Sequence, residues 1–503
     1  MTRRQLLEAT GWGGMLLLAG RGLAPAAAAA ELPAAARWFD LAPGPFVAPE
    51  TRRTLGGFLR TRLQVSMTRQ RIGGDEVLLR SYERSLVGPT LRCRAGDVIE
   101  IDLLNQLPPE APAHHGNGPH AFNTTNLHTH GLHVSPAGES DNVLIEVPPG
   151  QRQHYRFEIP KDHPAGTFYY HPHKHGSTAM QLASGMAGAL IVEGDVDRLP
   201  EIAAARERVL VLQQIPYNQR SRTIEWRDLL FTDAHTPTTV NGRAKPRLEL
   251  RPGEVERWRL VHAGVKVPFA VFLVDGSGRQ LPLQQIAVDG ITTGRLEPLA
   301  EIELGPGNRA DVLVQVQAPG SYHLVSREIV LRDLPVQRQV LAAVDVKGTP
   351  AAMRLPREAE LASLAPRKTL AQVPHPGRQV VELWLDGDLP KVNGQPFDAR
   401  NPPRRLKLGS VDEWTITVLG TGLNIHPFHL HTNPFEVLAV NGRRLAHPVW
   451  RDTVLVASRV AAYPVKEVVF RTQYRDFTGK SMLHCHNALH EDMGMMQLVE
   501  VVA

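Results

Sequence analysis

Cysteine is nearly absent from this chain: two residues in 503, Cys93 and Cys485. Aromatic side chains are scarce at 6%, and no Lys/Arg run is interleaved with them, so nucleic-acid binding has no support. Charge of one sign is lacking as well, with 56 basic against 51 acidic residues. Helical periods are few. What the chain does have is turn formers, 42 Gly and 40 Pro, in a composition that is 42% hydrophobic and 21% charged. That is a soluble globular composition with the punctuation many short strands require. The length exceeds one ordinary core and implies two to four domains.

The first 30 residues stand apart. MTRRQLLEATGWGGMLLLAG carries Arg3-Arg4 and a short apolar run, and APAAAAA follows with small residues suited to cleavage. The segment resembles a twin-arginine export signal, and it is too short and too broken by glycine for a membrane span. The expectation is export through twin-arginine machinery, a periplasmic or secreted mature protein, and no stable membrane insertion after cleavage. Cleavage near Ala30 removes Arg3, Arg4 and Arg21 against Glu8, taking the formal charge from +5 to +3.

Three stretches echo one another: GPTLRCRAGDVIEIDLLN, LELRPGEVERW and LKLGSVDEW, with Gly96, Gly253 and Gly409 each five residues before Ile101, Trp258 and Trp414. Each reads as an alternating strand, a turn containing Gly, and a second alternating strand. Val-Asn-Gly precedes the last two, at 240–242 and 392–394. A recurrence of this length is no solenoid. It implies three all-β domains, at 45–197, 206–346 and 376–503, built as Greek-key sandwiches. Residues 347–375 form a Pro/Ala-rich linker with a short helix expected between Pro356 and Leu364. Cys93 alternates with Arg92 and Arg94 and reads as a buried strand residue.

The chemistry gathers in the first and third domains. On a strand, His484 and His486 share one face and Cys485 takes the other. His490 and Met495 follow Cys485 by five and ten residues. Two His, one Cys thiolate and a weak axial Met make a blue-copper electron-transfer site. This stretch is one histidine short, and His426 in HPFHLHT is the candidate. Upstream lie His128-Thr129-His130, His171-Pro172-His173 and His429-Leu430-His431. One His-x-His is weak support, but ten imidazoles buried without partners would each carry a heavy desolvation cost. Zinc, the main competitor, gains little from an axial thioether. In the middle domain, VPFAVF at 267–272 aligns with HPFHLH but lacks its histidines.

These motifs, in this order, resemble those of the three-domain, laccase-like multicopper oxidases over nearly the whole mature chain. The resemblance implies a cupredoxin fold in each domain and four coppers. Type 1 takes His426, Cys485, His490 and Met495; type 2 takes His128 and His429. One type 3 copper takes His130, His171 and His486, and the other His173, His431 and His484. His490 is then where electrons arrive, and Cys485 passes them through His484 and His486 to the trinuclear site. Glu491 and Asp141 match acidic positions near that cluster and are expected to relay protons. His133 and His175 match no ligand position and are expected to support ligands from behind or to lie at the surface.

The leading functional expectation is oxidation of a small phenolic or aryl-amine donor coupled to reduction of dioxygen to water. A cuprous or manganous ion oxidase is the alternative within the family. A copper-free relative serving in the cell envelope or in division is the alternative of another class, and it predicts lost ligands, whereas all twelve are present. A two-domain nitrite reductase is disfavoured by the three repeats.

Overall fold

The computed structural model describes residues 44–111, 116–230, 235–331, 334–336, 338–364, 368–385, 389–420 and 425–503. The expected export signal at 1–30 lies outside the described residues. Strands dominate, and they form three successive two-sheet sandwiches.

The sheet orders show why the sequence echoes recur. In the first sandwich, Thr90–Arg94 and Val98–Asn105 belong to opposite sheets, so the Gly96 turn carries the chain across the core. Arg247–Leu250 and Val255–His262 do the same in the second, and Arg404–Lys407 and Val411–Leu419 in the third. Gly96, Gly253 and Gly409 all have positive φ, at 90°, 74° and 80°, a region that costs other residues a clash with Cβ. The two Val-Asn-Gly stretches are tight hairpin turns, with Asn241 and Gly242 at φ 51° and 75° and Asn393 and Gly394 at 50° and 75°.

Alternation tells which strands face water. Val411–Leu419 alternates half-buried and buried residues, with Trp414, Ile416 and Val418 in the core. Val255–His262 is buried throughout because its second face meets the first sandwich. There Arg257 and Arg259 share the Asp311 carboxylate, and Arg259 Nη1 donates to Thr167 Oγ1 at 3.0 Å. Buried cations of this kind persist only when paired. Cys93 is 1% exposed in the first core, and burial pushes its thiol pKa up.

The helix Glu358–Ala362 falls inside the expected Pro356–Leu364 window. Its Leu361 packs with Val196, Ile202, Val255 and Leu313, so this helix lies against the first two sandwiches, while the Leu370 N–H bonds Glu436 of the third. No helix among the described residues is long and apolar enough to cross a membrane.

Candidate metal centre

Strand pairing assembles the histidines. Gly479–Cys485 runs antiparallel to Ile425–Leu430, setting Cys485 beside Phe428 and His484 beside His429. In the first sandwich His128 pairs with His171, and His130 with Tyr169. In the second, the strand occupying the place of Ile425–Leu430 in its sheet order is Phe269–Asp275, which has Phe and Ala where metal ligands would stand.

Cys485 turns into the apolar core of the third sandwich, fully buried. Its Sγ lies 3.4 Å from His426 Nδ1 and 3.6 Å from His490 Nδ1. The chain returns to this point through the helix Ala488–Asp492, whose first turn is capped by Asn487 accepting from the Leu489 amide. The Met495 amide then donates to the His490 carbonyl at 2.8 Å, and the Cys485 amide to the Met495 carbonyl at 3.0 Å. Met495, fully buried, is held against the thiol's strand. His490, the expected point of electron arrival, is only 6% exposed, with Asn487 beside it at 8%.

On the opposite face lie three more groups. His130, His171 and His486 converge, with His130 Nδ1 3.2 Å from His486 Nε2. His173, His431 and His484 converge as well, their Nε2 atoms 3.3 and 3.2 Å from that of His484. His128 joins His130 and His429. All eight rings are buried, and burial, reinforced by neighbouring imidazoles, holds His171 to about 3 and His128, His429 and His431 well below their usual range.

Copper fits this donor set. The Nε2 atoms of His128, His171 and His429 are buried with no hydrogen-bond partner, while the other nitrogen of each is occupied. His128 Nδ1 meets Asp141 at 3.0 Å, and His171 and His429 Nδ1 donate to the carbonyls of Pro172 and Asp452. Each ring is thereby fixed in the tautomer that turns a lone pair inward, which is how metal-binding histidines are oriented. A buried lone pair without a partner is costly, and a metal ion removes that cost.

Carboxylates support the rings from outside. Glu491, fully buried, faces His484 Nδ1 at 3.1 Å and His173 Nδ1 at 3.4 Å. Burial works to raise its pKa, yet those two imidazoles pull it below the usual carboxylate range. Asp141 also accepts from the Thr129 amide at 2.8 Å, and burial raises it to about 7. Asp492 caps the helix Thr178–Ala183, accepting from the amides of Gly176 and Ala179 at 2.7 and 2.8 Å.

Sequence reasoning missed Asp452 and Arg309. Asp452 Oδ1 lies 3.3 Å from His130 Nε2, and Arg309 of the second sandwich grips both its oxygens at 2.8 and 2.6 Å. The neighbouring Gly307, at φ 91°, would press a Cβ to 3.0 Å from His130 and His486. The ligand-free sandwich thus supplies part of the cluster's wall. Arg309→Met leaves the Asp452 carboxylate buried and unpaired, so we expect about 3–5 kcal/mol lost in denaturant unfolding, with copper lost from the His130 side first on dialysis.

His133 is no ligand. It is buried, with Nδ1 2.8 Å from the Thr432 carbonyl and Nε2 2.7 Å from Asp476, so it clasps the first sandwich to the third. His175 Nε2 bonds Asn117 Oδ1 at 3.0 Å.

Three β-sandwiches, with paired His-x-His strands at the junction of the first and third and a buried His-Cys-His group beside them, define a cupredoxin-like oxidoreductase of the metal-dependent kind. Sequence models of multicopper oxidases match residues 65–197, 212–344 and 365–503, and the chain belongs to that family, oxidoreductases that use oxygen. It is 24% identical over 433 residues to a multicopper oxidase of Staphylococcus aureus, covering 84% of this chain and 83% of the relative. A laccase from Pediococcus acidilactici superposes with TM-score 0.76 at 22% identity, covering 92% of this chain and 94% of that one. A Campylobacter jejuni multicopper oxidase described as a metallo-oxidase superposes with TM-score 0.73 at 23% identity, covering 92% and 96%.

Proposed function

We propose that the protein is a laccase-type oxidase that takes single electrons from phenolic or aryl-amine donors and reduces dioxygen to two waters. His426, Cys485, His490 and Met495 would hold a type 1 copper, and His128 and His429 a type 2 copper. His130, His171 and His486 would hold one type 3 copper, and His173, His431 and His484 the other. Copper bound there supplies one-electron acceptance at the cysteine site and multi-electron dioxygen reduction at the histidine cluster.

The observation that carries the reading is covalent continuity. Cys485 reaches His426 and His490 at 3.4 and 3.6 Å, while its chain neighbours His484 and His486 stand in the two converging histidine groups. One tripeptide therefore joins an electron-collecting site to an oxygen-reducing one. Glu491 would orient His173 and His484, and Asp141, whose carboxyl pKa burial pushes up, would hold His128 and supply protons beside it.

Against the metal-ion alternative stands the placing of thioethers. Soft sulfur ligands suit Cu(I), yet among the described residues no methionine is exposed: Met482 and Met496 pack with Val143 and Leu498, and Met353 against the 347–375 segment's own apolar contacts. We expect 2,6-dimethoxyphenol to be oxidised without added copper, with a larger kcat/KM than stabilised Cu(I), by steady-state dioxygen uptake. Negligible phenol turnover unless copper is added reverses the assignment.

We further propose a periplasmic or secreted location reached through the twin-arginine route, on the strength of Arg3-Arg4 and the Ala-rich segment that follows. Replacing both arginines with Lys should leave precursor in the cytoplasm, read by fractionation and immunoblot; an unchanged exported yield counts against the route.

A further inference from the structure

A cavity of about 90 Å³ lies between the second and third sandwiches, and none of the proposed copper ligands lines it. A water takes roughly 10–15 Å³ of such space, so the cavity accepts about six to nine heavy atoms, the size of one substituted ring. Its walls are apolar, with Leu299 and Ile302 on one side and Val449, Val454 and Leu455 on the other.

Among its polar lining residues Gln285, Asn308 and Tyr463 are neutral, while Glu301, Glu303 and Arg451 carry charges of opposite sign. Glu303 takes a hydrogen bond from the Tyr463 hydroxyl on Oε2 at 2.7 Å, which leaves Oε1 as an acceptor. Burial raises Glu303 above the usual carboxylate range. Glu301 is engaged by Arg327 through two bonds of 2.9 Å. Arg451 also lines the cavity, and among the described residues no hydrogen bond ties its side chain. Arg451 acts on Glu303 through its charge rather than through a hydrogen bond, and an apolar-walled slot that holds an open carboxylate oxygen beside an untied guanidinium discriminates by charge. An organic carboxylate suits Arg451 but meets Glu301 and Glu303; an ammonium suits the carboxylates but meets Arg451. A neutral hydroxyl on a ring satisfies both, donating to Glu303 and accepting from Arg451.

The position adds to the argument. Val454 and Leu455 pair with Phe428 and Pro427, on the strand that carries His426 and His429. Asn308, also in the lining, donates to the Thr453 carbonyl at 3.0 Å, and Thr453 Oγ1 lies 3.1 Å from His429 Nδ1. We propose that this cavity is a second binding site, distinct from the His490 edge, for small neutral phenols of a single ring. The inference rests on the reading of the protein as a phenol oxidase for its biological sense, and its test is separable from that reading.

The probe is 4-fluorophenol, followed by fluorine NMR with the copper-loaded enzyme reduced anaerobically, where no turnover occurs. Saturable binding is expected, weakened at least tenfold by Val449→Phe, which fills the cavity, and by Arg451→Met and Glu303→Gln, which each remove one hydrogen-bonding partner. Fluorobenzene and 4-fluorobenzoate should bind at least tenfold more weakly than the phenol. Binding unchanged in Arg451→Met and Val449→Phe, or a soaked crystal with the phenol only at His490, overturns the proposal. Cavity binding in an enzyme that oxidises no phenol keeps the site and discards the oxidase reading; phenol oxidation with binding indifferent to all three changes does the reverse.

Discussion

Cys485→Ser should abolish the blue charge-transfer band and cut turnover with aromatic donors roughly a thousandfold or more, the scale on which one member of a set acting as a unit fails. The thiol is fully buried, and burial pushes its pKa up in the absence of a cation. It becomes a thiolate only by giving up its proton to metal binding, and a serine hydroxyl cannot follow at neutral pH. The histidine groups on the other face do not use the sulfur, so His484 and His486 should still retain most of the cluster's copper. Metal analysis together with paramagnetic resonance separates the two sites. A misfolded variant loses copper from both, whereas loss of the conduit alone leaves the cluster spectrum in place. Full activity in Cys485→Ser would refute the assignment of Cys485 as the link.

Much of this site was legible in the sequence because its ligands obey local rules. His-x-His and His-Cys-His need only the two-residue period of a strand to sort their side chains between faces. The three echoes were legible because each marks the same event, a glycine turn between opposite sheets of one sandwich. Neither rule reaches Arg309 and Asp452, which meet across 143 residues and two sandwiches. Arg309 also lies in the repeat whose aligned strand has lost its histidines, so nothing local marks it as part of a metal site. His133 and Asp476 illustrate the same limit, since a buried imidazole three residues beyond a ligand looks like part of the motif until its partners are seen. The closure of the His490 edge depends on how side chains from separate elements pack around it, which periodicity does not encode.

The two carboxylates that sequence position treats alike should respond differently to neutralisation. Asp141 rises to about 7 because it is buried, with His128 and Thr129 its side-chain partners among the described residues. Glu491 is as deeply buried, but it faces His173 and His484, which hold it below the usual carboxylate range. A carboxyl that titrates near neutrality can give and regain a proton during turnover, and one held far below it stays ionised and acts as a fixed acceptor. Asp141→Asn is therefore expected to slow reoxidation of the reduced enzyme by dioxygen about a hundredfold, while leaving anaerobic reduction of the blue site by donor unchanged. In the parent, reoxidation should fall as pH rises through about 7, because the proton is then lost from Asp141; the variant should lack that limb. The linkage to stability has the same sign. The folded pKa lies above the ordinary aspartate value of 3.8, so the folded state holds the extra proton and stability falls as pH rises from about 4 to about 7. The Asn variant should show a shallower decline over that window. Glu491→Gln keeps the bulk but removes a charged acceptor from two rings at once, and should appear first as weaker copper retention at His173 and His484, with the pH limb intact. Stopped-flow reoxidation across pH, with copper content measured on the same samples, decides between these roles. A pH limb that persists in Asp141→Asn and vanishes in Glu491→Gln would exchange them.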